Sequence, residues 1–267
     1  GLGVRGAAIA TVLAQGISAV LGVVYILRGY PELRFTPRQL GAATRRAVTS
    51  MFWAGLSMGL MSAIYNLGSV ALQSSINALG SVYITAQTAA RRLAELYFIP
   101  GGALGIGVAT FSSQNLGAGN IRRVLLGKRA TMIICMCYII PASVFVWIFG
   151  TPLIGLFSHD KAVIACGKIM VQVMTPGYWM LGVAHVYAGI FRGCGKSFQT
   201  MLLMLFNLVV VRFLYLAVAV KIHHTLAVVL SSYTVSWVTV MVSAILMSKF
   251  IEKKDNIWNP VDNRKEQ

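Results

Sequence analysis

Seven runs of the chain, at 6–27, 48–72, 82–112, 130–150, 163–190, 199–220 and 226–248, are almost continuously apolar, and the polar residues collect between them. A hydrocarbon layer about 30 Å thick takes about 20 apolar residues of helix to cross, and each run supplies them. Lipid offers no partner to a backbone amide, so the runs are predicted to be helices rather than strands. The expected fold is therefore all-α, a polytopic membrane protein with seven transmembrane helices. Gly, Ala and Ser recur along the runs, as close helix packing in lipid requires. Pro100-Gly101-Gly102, Pro141 and Pro176-Gly177 fall inside the third, fourth and fifth runs. Proline removes one helical hydrogen bond and crowds the preceding turn, so kinks are expected there. They serve either packing or the flexing of helices around a central cavity.

Composition agrees. Of the 267 residues 57% are hydrophobic and 11% charged, where a soluble domain carries about 25% charged residues; the mean hydropathy is +0.73. On a soluble protein the net charge of +16 would point to nucleic acid, but its placement excludes that. Arg28, Arg34, Arg38, Arg45 and Arg46 follow the first run. Arg122, Arg123, Lys128 and Arg129 follow the third, Arg192 and Lys196 the fifth, and Lys249, Lys253, Lys254, Arg264 and Lys265 the last. These are 16 of the 23 basic residues, all on one side. The other side holds Arg5, Lys161 and Lys221, with Lys168 a turn inside. The asymmetry predicts residue 1 outside and a cytoplasmic tail, in the cell (inner or plasma) membrane, with the bilayer and not nucleic acid as partner.

The chain opens at Gly1-Leu2-Gly3-Val4 directly on a hydrophobic run, with neither Met nor a signal peptide, and is expected to be the C-terminal part of a longer protein. Cys135, Cys137, Cys166 and Cys194 lack metal-ligand spacing. They are expected to be small buried hydrophobes, with no metal site and no cofactor. Residues 189–197, GIFRGCGKS, end as a phosphate-binding P-loop ends. A P-loop needs a first Gly where Ile190 stands, and a strand before it; here the motif joins two apolar runs, so nucleotide binding is not expected.

Several short motifs carry a family resemblance. Gln114-Asn115-Leu116-Gly117-Ala118-Gly119-Asn120-Ile121-Arg122-Arg123 resembles the QN-x-GAG…R signature of the multidrug and toxic compound extrusion (MATE) transporters. Thr88-Ala89-Ala90-Arg91-Arg92-Leu93 with Pro100, Gln73 to Ser81, and Gly3 to Thr11 resemble other parts of that family. Arg192-Gly193-Cys194-Gly195-Lys196-Ser197 resembles its LRG-x-G-[DN]-[ST] turn, and Arg212 an Arg often found one helix later. Lys196 departs from the family's acid or amide. The resemblance runs from residue 1 to about 250. It implies helices six to twelve of a twelve-helix, two-lobe transporter: 1–30 as the last helix of the N-lobe, 31–47 as the inter-lobe linker, 48–250 as the six-helix C-lobe and 251–267 as the tail. The remaining N-lobe helices are then required partners.

By the same resemblance the expected function is secondary active export of amphipathic, often cationic, organic compounds, by H⁺ or Na⁺ antiport with alternating access and no enzymatic step. The alternative is a flippase for lipid-linked oligosaccharides or polysaccharides, whose polyanionic cargo suits arginines such as Arg91, Arg92 and Arg212. A multispan enzyme would need clustered nucleophiles, ligands or acids within the runs, and none is present. Ion coupling calls for an ionisable group at membrane depth. Glu95 is the one acid within a run, with Arg91 and Arg92 one turn before it, so it is either a coupling residue or a satisfied ion pair. A family acid of the fifth run is replaced by Leu181, and His185 is the titratable neighbour there. Coupling is therefore expected to depend mainly on N-lobe acids. Candidate cavity residues are Tyr65, Asn66, Gln73, Gln87, Tyr178, Trp179 and His185, each with a lipid-facing or packing role as its alternative.

Overall fold

The computed structural model describes residues 3–30, 44–77, 80–222 and 226–254, and every regular element among them is helical. Packing divides the chain into two units, Gly1–Phe52 and Trp53–Gln267. The first holds α1 (Gly3–Gly29) and the opening turns of α2 (Arg45–Asn77). From Ala8 to Tyr30 every side chain of α1 is exposed, Val12, Leu13, Ile17 and Leu21 among them. A rod that is apolar all round and uncovered by its own unit is what lipid accepts.

The second unit continues α2 and adds α3 (Ser81–Gly117), α4 (Ile121–Gly155), α5 (Lys161–Met174), a 3₁₀ turn (Thr175–Gly177) and α6 (Tyr178–Gly193). Then come α7 (Ser197–Leu205), a π-helical segment (Phe206–Val210), α8 (Val211–Ile222) and α9 (Leu226–Lys254). With α5–α6 and α7–α8 each taken as one rod, the described residues form seven helical rods on the seven apolar runs. Five stretches are long and apolar enough to cross a membrane as single helices: Ala8–Gly29, Ser81–Gly117, Ile121–Gly155, Ser197–Ala219 and Val228–Phe250. The α5–α6 rod is divided by its 3₁₀ turn, and α2 is diluted by Ser57, Ser62, Asn66 and Gln73.

The prolines inside the runs do not all interrupt their helices. Helices α3 and α4 run on through Pro100, Pro141 and Pro152, and only the Pro176 site divides a rod. One lost hydrogen bond does not end a helix whose neighbours hold it in register. The π segment contains no proline; its extra residue per turn resets the face that α8 presents.

α3 is the centre of the second unit and packs on α4, α5 and α6, while α9 packs on α5, α6 and α8. Its buried stripe is built from small residues, Ala86, Ala89, Ala90, Ala94, Gly101 and Gly105, which lets α6 approach backbone to backbone. A Cβ at Gly189 would collide with the Gly105 carbonyl oxygen, and one at Gly193 with the Ala109 carbonyl. Near the middle, Tyr178 stacks on Tyr97 at 4.5 Å between ring centroids and lies 4.9 Å from Trp237. Gly177 leaves room for that indole, so the broken fifth rod seats a residue of α9. On the outer side α4 exposes Ile133, Ile134, Ile140, Val144, Phe145 and Ile148, a lipid-facing band. Cys135 and Cys166 are buried, whereas Cys137 is exposed on that band, unlike the expected burial.

Both motif turns end their helices in the same way. Asn120 N–H donates to the Asn115 carbonyl at 2.8 Å and Gly119 N–H to Leu116 at 2.9 Å. Lys196 N–H donates to Phe191 at 2.8 Å and Gly195 N–H to Arg192 at 3.0 Å. These are Schellman caps, which need a left-handed residue at the glycine; φ is +70° at Gly119 and +76° at Gly195. GIFRGCGKS is thus a helix cap and not a strand-to-helix phosphate loop. Gly195→Ala is expected to cost about 1 kcal/mol, and Gly195→Asn less, because asparagine tolerates the left-handed region. Thermal unfolding of the two variants in detergent reads the difference.

Candidate functional site

Two neighbouring cavities within the second unit share a wall. The larger, ≈ 380 Å³, is walled by residues of five rods, with Phe98 coming from α3. α6 gives Leu181, His185, Ala188 and Arg192, which at spacings of four, three and four form one helical stripe. α9 gives Tyr233 and Trp237, one turn apart. α2 gives Met61, Ser62 and Asn66, and the rod from α7 to α8 gives Met204, Leu208 and Arg212. The smaller cavity, ≈ 90 Å³, is lined by Gln87, Arg91, Met170, Met174 and Tyr178 among others. Phe98, Leu208, Val209, Arg212 and Tyr233 line both and form the partition between them. The π segment ends two residues before Arg212 and supplies Leu208 and Val209 to that partition.

Arg212 is buried, with 9% of its surface exposed. Its Nε–H donates to Ser236 Oγ at 3.3 Å, and its guanidinium lies 4.3 Å from the centroid of the Tyr233 ring. Ser236 in turn donates to the Ser232 carbonyl at 2.7 Å. His185 Nδ1 is 2.9 Å from the Leu181 carbonyl. A carbonyl only accepts, so Nδ1 carries the proton and Nε2 is left for the cavity. Arg192 turns back from the end of α6 over Gly105. At the turn beyond it burial pushes the Cys194 thiol up while Lys196 works the other way, which makes it a poor nucleophile.

The structure thus brings Asn66 and His185 to the larger cavity, Gln87, Arg91 and Tyr178 to the smaller one, and Arg212 to both. Gln87 Oε1 is buried there without a hydrogen-bond partner among the described residues. Gln73 donates to Asn77 at 2.9 Å on its own helix, and Trp179 is 36% exposed; neither lines a cavity. The Tyr65 side chain lies outside the described residues. Arg92 and Glu95 form an ion pair at 3.2 Å on an exposed face of α3, outside both linings. Charges about a dozen residues into a spanning helix need water or protein opposite, so that face is not covered by lipid tails. Of the motif residues, Gln114, Asn115, Gly117, Ala118 and Gly119 end α3, Gly193 lets α6 touch it, and Gly195 turns the chain. Arg192 alone among them reaches a cavity. Sequence reasoning placed it as a topological charge; its four-three-four spacing from Leu181 was the signal available. Phe98, Tyr233 and Trp237 were also missed, because an aromatic residue in an apolar run reads equally as core, lipid-facing or cavity-lining.

Long apolar helices bundled around an internal amphipathic cavity define a polytopic membrane protein. The family model described as MatE matches residues 57–218, more than half of the chain, and the chain belongs to that family, whose members are multi-pass transporters and not enzymes. Among curated proteins it is 28% identical over 216 residues to the probable multidrug resistance protein YpnP of Bacillus subtilis, an alignment covering 81% of this chain and 48% of that one. It is 22% identical over 203 residues to the probable multidrug resistance protein NorM of Thermotoga maritima, covering 76% and 43%. The chain spans about half the length of the curated relatives it matches. The fold superposes on a crystal structure of MATE in complex with MaL6 with a TM-score of 0.83 at 18% identity, covering 94% of this chain and 57% of that one. The same score, at 18% identity and 94% and 56% coverage, relates it to a MOP superfamily transporter from Pyrococcus furiosus.

Proposed function

We propose that this chain supplies the last helix of one lobe and the whole of the other lobe of a secondary active transporter that exports amphipathic organic compounds by alternating access, driven by an inward H⁺ or Na⁺ gradient. The observation that carries the reading is the ≈ 380 Å³ cavity between the rods, with aromatic and polar groups converging on it. Drug-sized ligands occupy sites of about 300–1,000 Å³ of this mixed character. The names of the relatives, multidrug resistance proteins, support it. The basic ends of α2, α4 and α9 then lie on the cytoplasmic side of the cell membrane, with the tail. The π segment beside the partition and the 3₁₀ turn under Trp237 are the points where the rods can change face. The flippase reading draws on the cavity arginines, but ≈ 380 Å³ is small for a lipid-linked sugar chain.

No carboxylate lines either cavity among the described residues. Glu95 is held by Arg92 and exposed, so coupling is assigned to acids of the N-lobe. In everted vesicles carrying the full-length protein, dye efflux is expected to depend on the ion gradient. Glu95→Gln is expected to keep at least about half of that rate, since an exposed ion pair contributes under about 1 kcal/mol. Loss of efflux in Glu95→Gln would overturn the coupling assignment, and efflux that persists without any gradient would overturn the secondary-transport reading.

A further inference from the structure

The charged side chains of the two cavities, and the one histidine, are all basic. Arg192, Arg212 and His185 line the larger, Arg91 and Arg212 the smaller, and no Asp or Glu lines either among the described residues. The acids whose side chains are described are committed elsewhere: Glu95 to Arg92, and Asp160 Oδ1 to the Ala162 N–H at the start of α5, 2.8 Å away. Arg212 already gives one N–H to Ser236 and one face to Tyr233. Arg192 differs. Its Nη2 lies over Gly105, 3.6 Å from where a Cβ would stand, and its side chain makes no hydrogen bond or ion pair among the described residues. A guanidinium carries five N–H donors and keeps its proton. Inside an apolar bundle those donors are met by water or by an anion.

We infer that the larger cavity is an organic-anion site, which deepens the transporter reading and rests on it only for the step of export. Its ligand is a drug-sized amphiphile with a carboxylate, sulfonate or phosphate end. Arg192 takes that end, in a bidentate contact that its planar fork favours. Arg212 supplies the second positive charge, and Phe98, Tyr233 and Trp237 take the apolar body. A cationic body of the same shape meets Arg192 and Arg212 with no opposing carboxylate among the described residues, and is disfavoured. The negatively charged end of a membrane phospholipid has the same chemistry as that of a free organic anion.

Two xanthene dyes of opposite charge test this. The full-length protein, in nanodiscs of phosphatidylcholine, is titrated with carboxyfluorescein and with rhodamine 6G, and binding is read by fluorescence polarisation. Carboxyfluorescein is expected to bind at least about tenfold more tightly. Arg192→Gln is expected to weaken it about tenfold while leaving rhodamine 6G unchanged or tighter, and Arg192→Lys to keep most of the affinity. Tighter binding of rhodamine 6G to the wild type, or carboxyfluorescein affinity unmoved by Arg192→Gln, overturns the inference. If Arg192→Gln does not fold, the comparison of the two dyes on the wild type decides alone. Short-chain phosphatidylglycerol added to the dye complex separates the sources. Displacement by it but not by short-chain phosphatidylcholine supports the site with lipid as its ligand; displacement by neither supports it with free organic anions. Efflux that fails while carboxyfluorescein binding holds sinks the transport reading and leaves the anion site standing. Efflux of rhodamine 6G by a protein that does not bind carboxyfluorescein does the reverse.

Discussion

Gly189→Ala is expected to leave little folded protein, the largest stability loss of any single methyl addition at the described glycines. The added Cβ would meet the carbonyl oxygen of Gly105 and a methyl of Val108, at distances that real Cβ atoms do not show. A side chain can rotate away from such a contact; a backbone carbonyl inside α3 can yield only if α3 and α6 move apart. In lipid the helices are held by packing rather than by expulsion of water, so separation loses the contacts that hold them. Overpacking costs about 1–3 kcal/mol where side chains give way, and here the cost belongs at or above the top of that range. Folded domains have only about 5–15 kcal/mol to lose. The control is Gly107→Ala, two residues from Gly105 on an exposed face where nothing stands within 4 Å. That change is expected to be neutral or stabilising by up to about 1 kcal/mol, through helix propensity. Monodisperse yield and unfolding temperature in detergent read both; equal behaviour of the two variants would refute the backbone contact between α3 and α6.

That contact also marks how far the sequence could be read. The apolar runs located all seven rods, because span length and backbone satisfaction depend on composition alone. The small residues along α3 announced close packing, and the two glycine motifs announced turns. Which residues face the cavity is another matter. Tyr178 and Trp179 are neighbours in the same apolar run, yet one is buried in the aromatic cluster and the other is 36% exposed. A soluble helix betrays its inner face by polarity, but a lipid-exposed face is as apolar as a buried one, so that signal vanishes. Asn66 and Gln73, seven residues apart on one helix, part company for the same reason: both bond their own helix, yet the first lines the larger cavity and the second does not. The π segment at Phe206–Val210 carries no Gly or Pro and left no trace in the pattern. Arg192 was visible, but the positive-inside rule already accounted for it, and only its position over Gly105 gives it a second role.

Arg212→Met is expected to reduce efflux at least about tenfold while leaving the unfolding temperature within about 5 °C of the wild type. A guanidinium buried to this degree is held against its own desolvation, and replacing a buried charge by an apolar group of similar length is often neutral or stabilising, by about 1–4 kcal/mol. Two of its partners are left satisfied. Ser236 keeps its hydrogen bond to the Ser232 carbonyl, and Tyr233 keeps Trp237 at 5.7 Å. The functional loss has a separate cause, since Arg212 is the one charge that lines both cavities, two residues after the π segment. Methionine fills the partition but removes its field, so ligand entering either cavity loses an attraction that lipid-like walls cannot replace. Arg212→Lys keeps the charge but gives up the planar face over Tyr233, and is expected to fall between wild type and Arg212→Met in efflux. Should Arg212→Met instead unfold more than about 10 °C early, with efflux falling in proportion to folded protein, Arg212 would be a structural pin of α8 to α9 and not part of the transport path.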